Sequence, residues 1–287
     1  MRISISITNY SWPNGELGSE LARIAQAADD AGLDTVWVAD HLIQADPTSV
    51  PDSEMLEAYT TLGFLASQTE RIRLGTMVTG VTYRPPSVLI KAVTTLDVLS
   101  GGRAWFGVGA GYHEDEARAM DLPLPPVAER FERLEETLRL ALQMWSGDSS
   151  PFEGRHHRLE RPVNQPLAVH QPHPPILVGG MGERKTLRLV AQHADACNLF
   201  DIPDGGKTIS HKLEVLARHC DAVGRPYDEI EKTVSTRLSP DQSAEEFAGQ
   251  CDRLAALGID HAVVLTAGPW TEEAVARLAA AQERVNS

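Results

Sequence analysis

Residues 71–111 read RIRLGTMVTGVTYRPPSVLIKAVTTLDVLSGGRAWFGVGAG. The first ten of them predict a strand, and Ser87 is the expected N-cap of a helix that continues to Leu99. Two glycines end that helix, and RAWFGVGAG (103–111) predicts a second strand running into a loop. A helix that connects two strands in this way joins them in parallel. The stretch therefore predicts a parallel α/β fold.

The same alternation of strand and helix runs along the whole chain and gives eight units. Eight such units in 287 residues fit a closed (β/α)8 barrel of the TIM type, with an open doubly wound sheet as the competing architecture. Residues 146–174 are rich in Pro, His, Arg and Gly, and they predict an ordered insertion between the fourth helix and the fifth strand. No break separates two halves, so we expect residues 1–287 to form a single domain.

The composition argues against several classes of function. The chain has 26 basic and 40 acidic residues, and its formal net charge of −14 argues against a general nucleic-acid or anionic-membrane surface. The widely spaced Cys197, Cys220 and Cys251 form neither a disulfide framework nor a CxxC metal pair. The N-terminus lacks an apolar signal core, and no apolar run approaches the length of a membrane span. We therefore expect a soluble cytoplasmic protein.

The glycines of FGVGAG (106–111) look at first like a dinucleotide-binding fingerprint. That fingerprint requires GxGxxG after the first strand of a βαβ unit, whereas the spacing here is GxGxG after the fourth strand. At Gly107 and Gly109, close packing of barrel strands is the structural alternative. Because Gly109 to Gly111 lie at the C-terminal end of a barrel strand, a ligand can approach the backbone closely there.

Four long motifs follow one another along the chain: VWVADHL (36–42), RIRLGTMVTG (71–80), YRPPSVLIKAVTTLDVLSGGRAWFGVGAGYHEDE (83–116) and ILVGGMGERKTLRLVAQHADACNLF (176–200). They resemble the motifs of bacterial luciferase-like oxidoreductases, especially of the branch that depends on coenzyme F420, a deazaflavin. The resemblance covers most of the chain and implies an eight-stranded barrel, in agreement with the count above. It also implies coenzyme F420 as the cofactor, with FMN as the alternative.

In that branch an Asp-His pair at the end of the second strand contacts the deazaflavin ring. The resemblance assigns this role to Asp40 and His41, with His41 as the catalytic residue near the reacting carbon. Histidine suits the task because its side chain can donate to a ring carbonyl or exchange a proton near neutral pH. On the residues alone, a capping Asp and a satisfied polar His explain the pair as well.

The resemblance also implies backbone contacts with the cofactor. Family members often carry a bulge with a non-proline cis peptide behind the ring, which falls here at about Met77-Val78. Glycines at the start of a helix expose N–H groups that bind anions, and the family places the cofactor phosphate near Gly179 to Gly182, with Arg184, Lys185 and Arg188 just beyond. A flexible turn and a solvated helix face are the alternatives. The implied cofactor-binding residues are Asp40, His41, Met77, Val78, Thr79, Gly80, Gly109, Ala110, Gly111, Tyr112, Gly179, Gly180 and Met181.

Other polar residues carry weaker signals. Glu114, Asp115 and Glu116 are expected to be a solvated helix start, and the His pairs 156–157 and 170/173 are weak evidence for metal, so no metal site is predicted. In sugar-phosphate dehydrogenases of the F420 branch, an acidic proton donor follows the GxGxG loop. Tyr112 occupies that place here, and no phosphate clamp is evident, so the resemblance does not favour a sugar phosphate as substrate.

These features favour an enzyme that moves a hydride between coenzyme F420 and a small organic substrate. An FMN-dependent monooxygenase and a non-catalytic flavin-binding protein are the alternatives. Tyr112 and Asn198 are candidates for ligand contact, and the expected substrate-facing segments are Thr8 to Asn14, the 42–54 loop and the 146–174 insertion. Family members are often dimers, which leaves a homodimer open.

Overall fold

A computed structural model describes residues 1–13, 15–46 and 49–286. Asn14 and residues 47–48, within two of the predicted substrate-facing segments, lie outside the described residues, as does Ser287. The strands are β1 (Arg2–Ile7), β2 (Thr35–Val38), β3 (Arg73–Thr76), β4 (Thr79–Gly80), β5 (Phe106–Gly109), β6 (Phe152–Glu153), β7 (Arg158–Leu159), β8 (Ile176–Gly179), β9 (Ala196–Phe200), β10 (Glu231–Arg237) and β11 (His261–Leu265). The α-helices are α1 (Leu17–Asp30), α2 (Ala58–Gln68), α3 (Pro86–Leu99), α4 (Glu114–Ala119), α5 (Val127–Trp145), α6 (Thr186–His193), α7 (Lys207–Val223), α8 (Ala244–Ala256) and α9 (Glu272–Asn286).

The main sheet is a parallel barrel with the order β3-β2-β1-β11-β10-β9-β8-β5-β4. The ring closes because Leu74 of β3 also bonds the chain just before β5: its N–H donates to Arg103 O (2.9 Å), and Trp105 N–H donates to Leu74 O (2.8 Å). β3 and β4 are two parts of the third barrel strand, divided at Met77-Val78, so the sheet contains the eight predicted barrel strands. The barrel is confirmed, and the open doubly wound sheet is excluded.

Local signals set most of the element bounds. The predicted cap at Ser87 is wrong, because α3 already begins at Pro86, whose fixed φ suits the first turn of a helix and whose missing N–H needs no partner there. The short helix α4 between β5 and α5 is an addition to the predicted pattern. No helix within the described ranges is long and apolar enough to cross a membrane.

The insertion at 146–174 packs against the outer helices. Asp97 of α3 accepts the backbone N–H groups of Val169 (2.7 Å) and His170 (3.0 Å), and Glu136 of α5 accepts those of residues 155–157. These buried carboxylates hold the insertion, with its β6–β7 hairpin, on the outside of the barrel. It therefore contributes no residue to the pocket at the barrel mouth, and the prediction that it faces the substrate is wrong.

Two apolar clusters fill the fold. The larger lies between the sheet and the helices, and the smaller lies within the barrel, where Trp37 and Trp105 pack with ring centroids 5.5 Å apart beside Leu177, Ala196 and Val263. Met77 and Val78 pack against this inner cluster, which therefore supports the C-terminal mouth from below.

A polar network lies at the opposite, N-terminal end of the barrel. The buried His261, the first residue of β11, bonds the Ser4 hydroxyl through Nε2 and Glu231 through Nδ1 (2.7 Å). Arg2 pairs with Glu231 (2.7 Å). The order Ser–His–Glu is that of a nucleophile triad, but Ser4 and His261 are both fully buried, so the network has no access to a substrate.

Candidate active site

A cavity of about 750 Å³ opens at the C-terminal mouth of the barrel. All of the residues predicted to bind cofactor line this cavity except Met181. Met181 packs against the larger core cluster, and its sulfur accepts the N–H of Phe200 (3.4 Å). The predicted residues in the lining are Asp40, His41, Met77, Val78, Thr79, Gly80, Gly109, Ala110, Gly111, Tyr112, Gly179 and Gly180. The barrel thus brings together segments that are far apart in the sequence.

Val78 and two glycines form one wall of the cavity. The Met77-Val78 peptide is cis, as predicted. A Cβ added at Gly109 would lie 3.0 Å from a Val78 methyl carbon, and one added at Gly179 would lie 2.9 Å from it. The missing side chains therefore let Val78 lie between the two glycines, and the wall is flat and apolar. At Gly107 a Cβ would overlap the carbonyl oxygen of Thr76, so that glycine serves strand packing.

His41 is held by the carboxylate of a residue that is expected from the sequence to be exposed but is buried. The Nδ1 atom of His41 lies 2.7 Å from Oε2 of Glu116, whose side chain is fully buried. Glu116 also accepts the Tyr83 hydroxyl and the backbone N–H groups of Leu42 and Ile43. The expectation of a solvated acidic helix start is correct for Glu114 and Asp115 and wrong for Glu116, because the first turn of α4 directs Glu116 under the end of β2.

The charge on Glu116 fixes the hydrogen-bonding state of His41. Burial alone would raise the pKa of Glu116, but the hydrogen bonds from His41, Tyr83 and Leu42 outweigh it and lower the pKa to about 2. Burial and the bond to Glu116 raise the pKa of Tyr83, so its hydroxyl remains a donor. An ionised carboxylate only accepts, so Nδ1 of His41 carries a hydrogen. Nε2, which lies 3.5 Å from the Tyr112 hydroxyl, is the ring nitrogen left for proton exchange at the cavity.

Asp40 forms an ion pair inside the mouth. Its carboxylate oxygens accept two hydrogen bonds from Arg84, at 2.6 Å and 2.9 Å. The guanidinium of Arg84 also pairs with Glu57 and lies 4.9 Å from the centre of the Tyr59 ring. Burial alone would lower the pKa of Arg84, but Asp40 outweighs it and raises the pKa. Arg84, like Tyr83 and Glu116, was not predicted as a site residue, although the YR that begins the quoted 83–116 motif contains it.

The turn after β8 has the features of an anion site. The sequence pattern predicts a helix that begins near Glu183, whereas α6 begins at Thr186. The N–H groups of Gly182, Glu183 and Arg184 have no bond partner in the described part of the chain. Thr186 lines the cavity, and the Lys185 ammonium lies 5.3 Å from the ring of Phe131, which also lines it. Arg188 pairs with Glu135 (2.9 Å) and does not line the cavity.

Polar side chains line the other side of the mouth. The amide of Asn198 is bonded on both sides, to Ser235 (2.9 Å) and Thr233 (2.8 Å). Asp201 accepts the Thr236 hydroxyl (2.7 Å). None of the His pairs in the insertion lines the cavity, and no group of three metal-ligand side chains occurs among the residues that the structure describes.

Comparison with known proteins identifies the family. The family model described as luciferase-like monooxygenase matches residues 1–285. The chain belongs to this family. The resemblance of the four motifs is thereby confirmed.

A curated relative in this family is the F420-dependent glucose-6-phosphate dehydrogenase of Kineococcus radiotolerans, which is 32% identical over 234 residues. The match covers 78% of this chain and 64% of the length of that relative. Among solved structures, a monooxygenase from Streptomyces bottropensis has a TM-score of 0.81 at 19% identity, covering 97% of this chain and 96% of that one. A coenzyme F420-dependent tetrahydromethanopterin reductase from Methanopyrus kandleri has a TM-score of 0.81 at 16% identity, covering 97% of both. At these identities the two structures show the fold alone.

Proposed function

We propose that this protein is a coenzyme F420-dependent oxidoreductase that transfers a hydride between the deazaflavin and a small organic substrate. The observation that carries the proposal is the position of His41 Nε2, which faces the mouth beside the flat wall of Val78, Gly109 and Gly179. The named activity of the Kineococcus relative supports the choice of cofactor. A cavity of about 750 Å³ has room for a tricyclic ring and a small substrate.

The cavity fits the parts of such a cofactor. The wall at Val78 offers a flat apolar surface for the ring, and the Asp40–Arg84 pair and His41 lie at its edge. The free N–H groups of Gly182 to Arg184, together with Thr186 and Lys185, offer donors and positive charge for the phosphate and the acidic tail. When bound, coenzyme F420 supplies a ring carbon that accepts or donates a hydride.

The residues of the chain handle the proton that accompanies the hydride. When a substrate hydroxyl is oxidised to a carbonyl, Nε2 of His41 takes the hydroxyl proton, and in the reverse direction it returns that proton to the carbonyl oxygen. Glu116 stabilises the imidazolium that forms, because its carboxylate stays ionised and in contact with Nδ1. The protein thus contributes orientation and electrostatics.

The substrate is proposed to differ from that of the Kineococcus relative. Tyr112 stands where the sugar-phosphate dehydrogenases of the branch are expected to carry an acidic proton donor, and its side chain is 69% exposed with its hydroxyl 3.5 Å from His41. We therefore propose Tyr112 as a ligand contact rather than a proton donor.

Cofactor titration tests the function. We expect saturable binding of coenzyme F420, followed by absorbance and fluorescence, and weak or absent binding of FMN and FAD. Tight FMN binding without F420 binding contradicts the proposal and favours an FMN-dependent monooxygenase. Binding of neither favours a non-catalytic role. The His41→Ala variant is expected to bind F420 and to lose turnover.

We also propose a homodimer that works in the cytoplasm. Phe64 on α2 and Val88 and Leu99 on α3 are 38%, 55% and 73% exposed on neighbouring helices, which gives an apolar surface of the kind that subunit contacts cover. The three cysteines are buried and unpaired, as suits a reducing compartment. Light scattering of the purified chain measures the assembly, and a monomer at all concentrations contradicts it.

A further inference from the structure

The order of the barrel strands divides the mouth into two halves. The flat wall belongs to the ends of β4, β5 and β8. Within the closed ring, β10 lies four places from the third barrel strand in both directions, so its end lies across the mouth from the cis bulge. The substrate half, as we call it, is formed by the ends of β9, β10, β11 and β1, and its lining residues include Asn198, Asp201, Thr236, Arg237, Leu265 and Thr8.

Arg237 is an exposed cation on this half. It is the last residue of β10 and lies opposite Leu265 in the strand register. Among the residues that the structure describes, it is the one Lys or Arg that lines the cavity, and no carboxylate oxygen there comes within 4.0 Å of its guanidinium. The other charged groups of the lining have partners: Asp40 pairs with Arg84, and Asp201 bonds Thr236 and Gln250. In a chain with a net charge of −14, an arginine without a carboxylate partner at a cavity calls for an anion.

The backbone around Arg237 is fixed in place. Thr236 donates to Asp201 (2.7 Å), and Gln250 donates to Thr236 (2.7 Å) and is itself bonded by Gln242 (2.8 Å). Leu238, the next residue, is buried and donates its N–H to Leu265 O (2.9 Å). The base of the arginine is therefore preorganised, while its guanidinium is free to bind a ligand.

We propose that Arg237 binds an anionic group of the substrate, a carboxylate or a phosphate, and so directs the reacting hydroxyl or carbonyl oxygen toward His41. The inference rests on the proposed function, and it adds the chemical class of the substrate. The planar guanidinium can bond either oxyanion with two parallel N–H groups. The acidic tail of the cofactor is the other source of such a group. The anion site for the cofactor phosphate lies after β8, two strands away from β10, which favours the substrate.

Anion binding to Arg237→Gln provides the test. Inorganic phosphate and lactate are titrated by calorimetry into the wild-type chain, Arg237→Gln and the matched control Arg218→Gln, which removes an exposed arginine of α7. Anion binding at the turn after β8 is common to all three proteins; beyond it, we expect Arg237→Gln to weaken anion binding by about tenfold or more and Arg218→Gln to leave it unchanged. With F420 bound, lactate is expected to be oxidised faster than 2-propanol by the wild type, and this preference is expected to disappear in Arg237→Gln. Comparing lactate with glycerol 3-phosphate in the same assay distinguishes the carboxylate from the phosphate.

The affinity for coenzyme F420 separates the two sources of the anion. We expect Arg237→Gln to bind F420 within about twofold of the wild type. A loss of F420 affinity with unchanged lactate and phosphate binding overturns the proposal and assigns Arg237 to the cofactor tail. Equal anion binding by all three proteins, or none by the wild type, also overturns it. If the chain binds no F420, the proposed function fails, whereas the anion titration of the cofactor-free chain still decides the role of Arg237.

Discussion

His41 Nδ1 lies 2.7 Å from Glu116 Oε2, although 75 residues separate the two in the sequence. His41 lies in the loop after β2, and Glu116 lies in the first turn of α4, so the contact exists because the barrel brings the second and fourth βα loops together. The carboxylate of Glu116 accepts hydrogen bonds from the His41 ring, the Tyr83 hydroxyl and two backbone N–H groups. It therefore fixes both the imidazole ring and the loop that carries it. Partners of this kind set which nitrogen of a histidine exchanges a proton.

Replacing Glu116 by Gln is expected to reduce turnover by about 100-fold or more, with F420 binding little changed. If the amide oxygen accepts the N–H groups of Leu42 and Ile43, the amide nitrogen faces His41 and donates to Nδ1. The ring hydrogen then moves to Nε2, which can no longer accept a proton. Steady-state kinetics with circular dichroism as a folding check measure the effect.

Glu114→Gln is the matched control, because Glu114 lies on the same turn of α4 and is exposed. It is expected to retain wild-type turnover. Equal activity in Glu116→Gln and the wild type would show that the buried carboxylate has no part in orienting His41.

Much of the fold follows from local patterns in the sequence. The sequence pattern predicts strands at 231–237 and 260–266 and a helix at 207–223. The observed β10, β11 and α7 agree with these bounds within about one residue, because burial on a strand or on one face of a helix leaves a periodic signal. The division of the third barrel strand at Met77-Val78 came from the family resemblance, since the residue types of TMVTG are those of an ordinary barrel strand.

The site could be predicted only in part, because pairs distant in the sequence leave no periodic signal. The glycines and Asp40-His41 stand in recognisable motifs, whereas Glu116 looks like its exposed neighbours Glu114 and Asp115. Its role depends on where α4 lies relative to β2. Arg84 is bound to Asp40 over 44 residues, a contact that equally depends on the closed barrel.

Gly179→Ala is expected to weaken binding of coenzyme F420 by about tenfold or more. The new methyl group would lie 2.9 Å from Val78, so Val78 or the strand end must move and the flat wall is lost. Such overpacking is expected to cost about 1–3 kcal/mol of stability. Fluorescence titration measures the affinity.

Gly63→Ala is the control, because a Cβ added at Gly63 on the exposed face of α2 has no neighbouring atom within 4 Å. It should leave the F420 affinity unchanged and stabilise the chain by about 0.5–1 kcal/mol. Unchanged F420 affinity in Gly179→Ala contradicts the ring position.

Asp40→Asn is expected to lower the free energy of unfolding by about 3 kcal/mol, measured by urea denaturation. Asp40 has no exposed side-chain surface and accepts two bonds from Arg84, whose charge would lose its buried partner. The control is Asp30→Asn, since Asp30 is 85% exposed and pairs with Arg71 at 3.6 Å, and we expect a change within about 0.5 kcal/mol. Equal stability of the two variants would mean that Glu57 alone satisfies Arg84.

The N-terminal network is expected to make stability fall in acid without affecting the mouth. Burial alone would raise the pKa of Glu231, but the bonds from His261 and Arg2 outweigh it and lower the pKa below its ordinary value of 4.5. The folded state therefore holds Glu231 ionised more strongly than the unfolded state does. This contribution to stability is fully present above pH 4.5 and is lost as the pH falls through the folded-state pKa. Denaturation at several pH values should show that the free energy of unfolding falls less in acid for Glu231→Gln than for the wild type. The control is Glu245→Gln, whose side chain is 81% exposed and which should behave as the wild type does. Identical pH profiles for the three proteins would contradict this account, and F420 binding should stay unchanged in all of them because the network lies at the far end of the barrel.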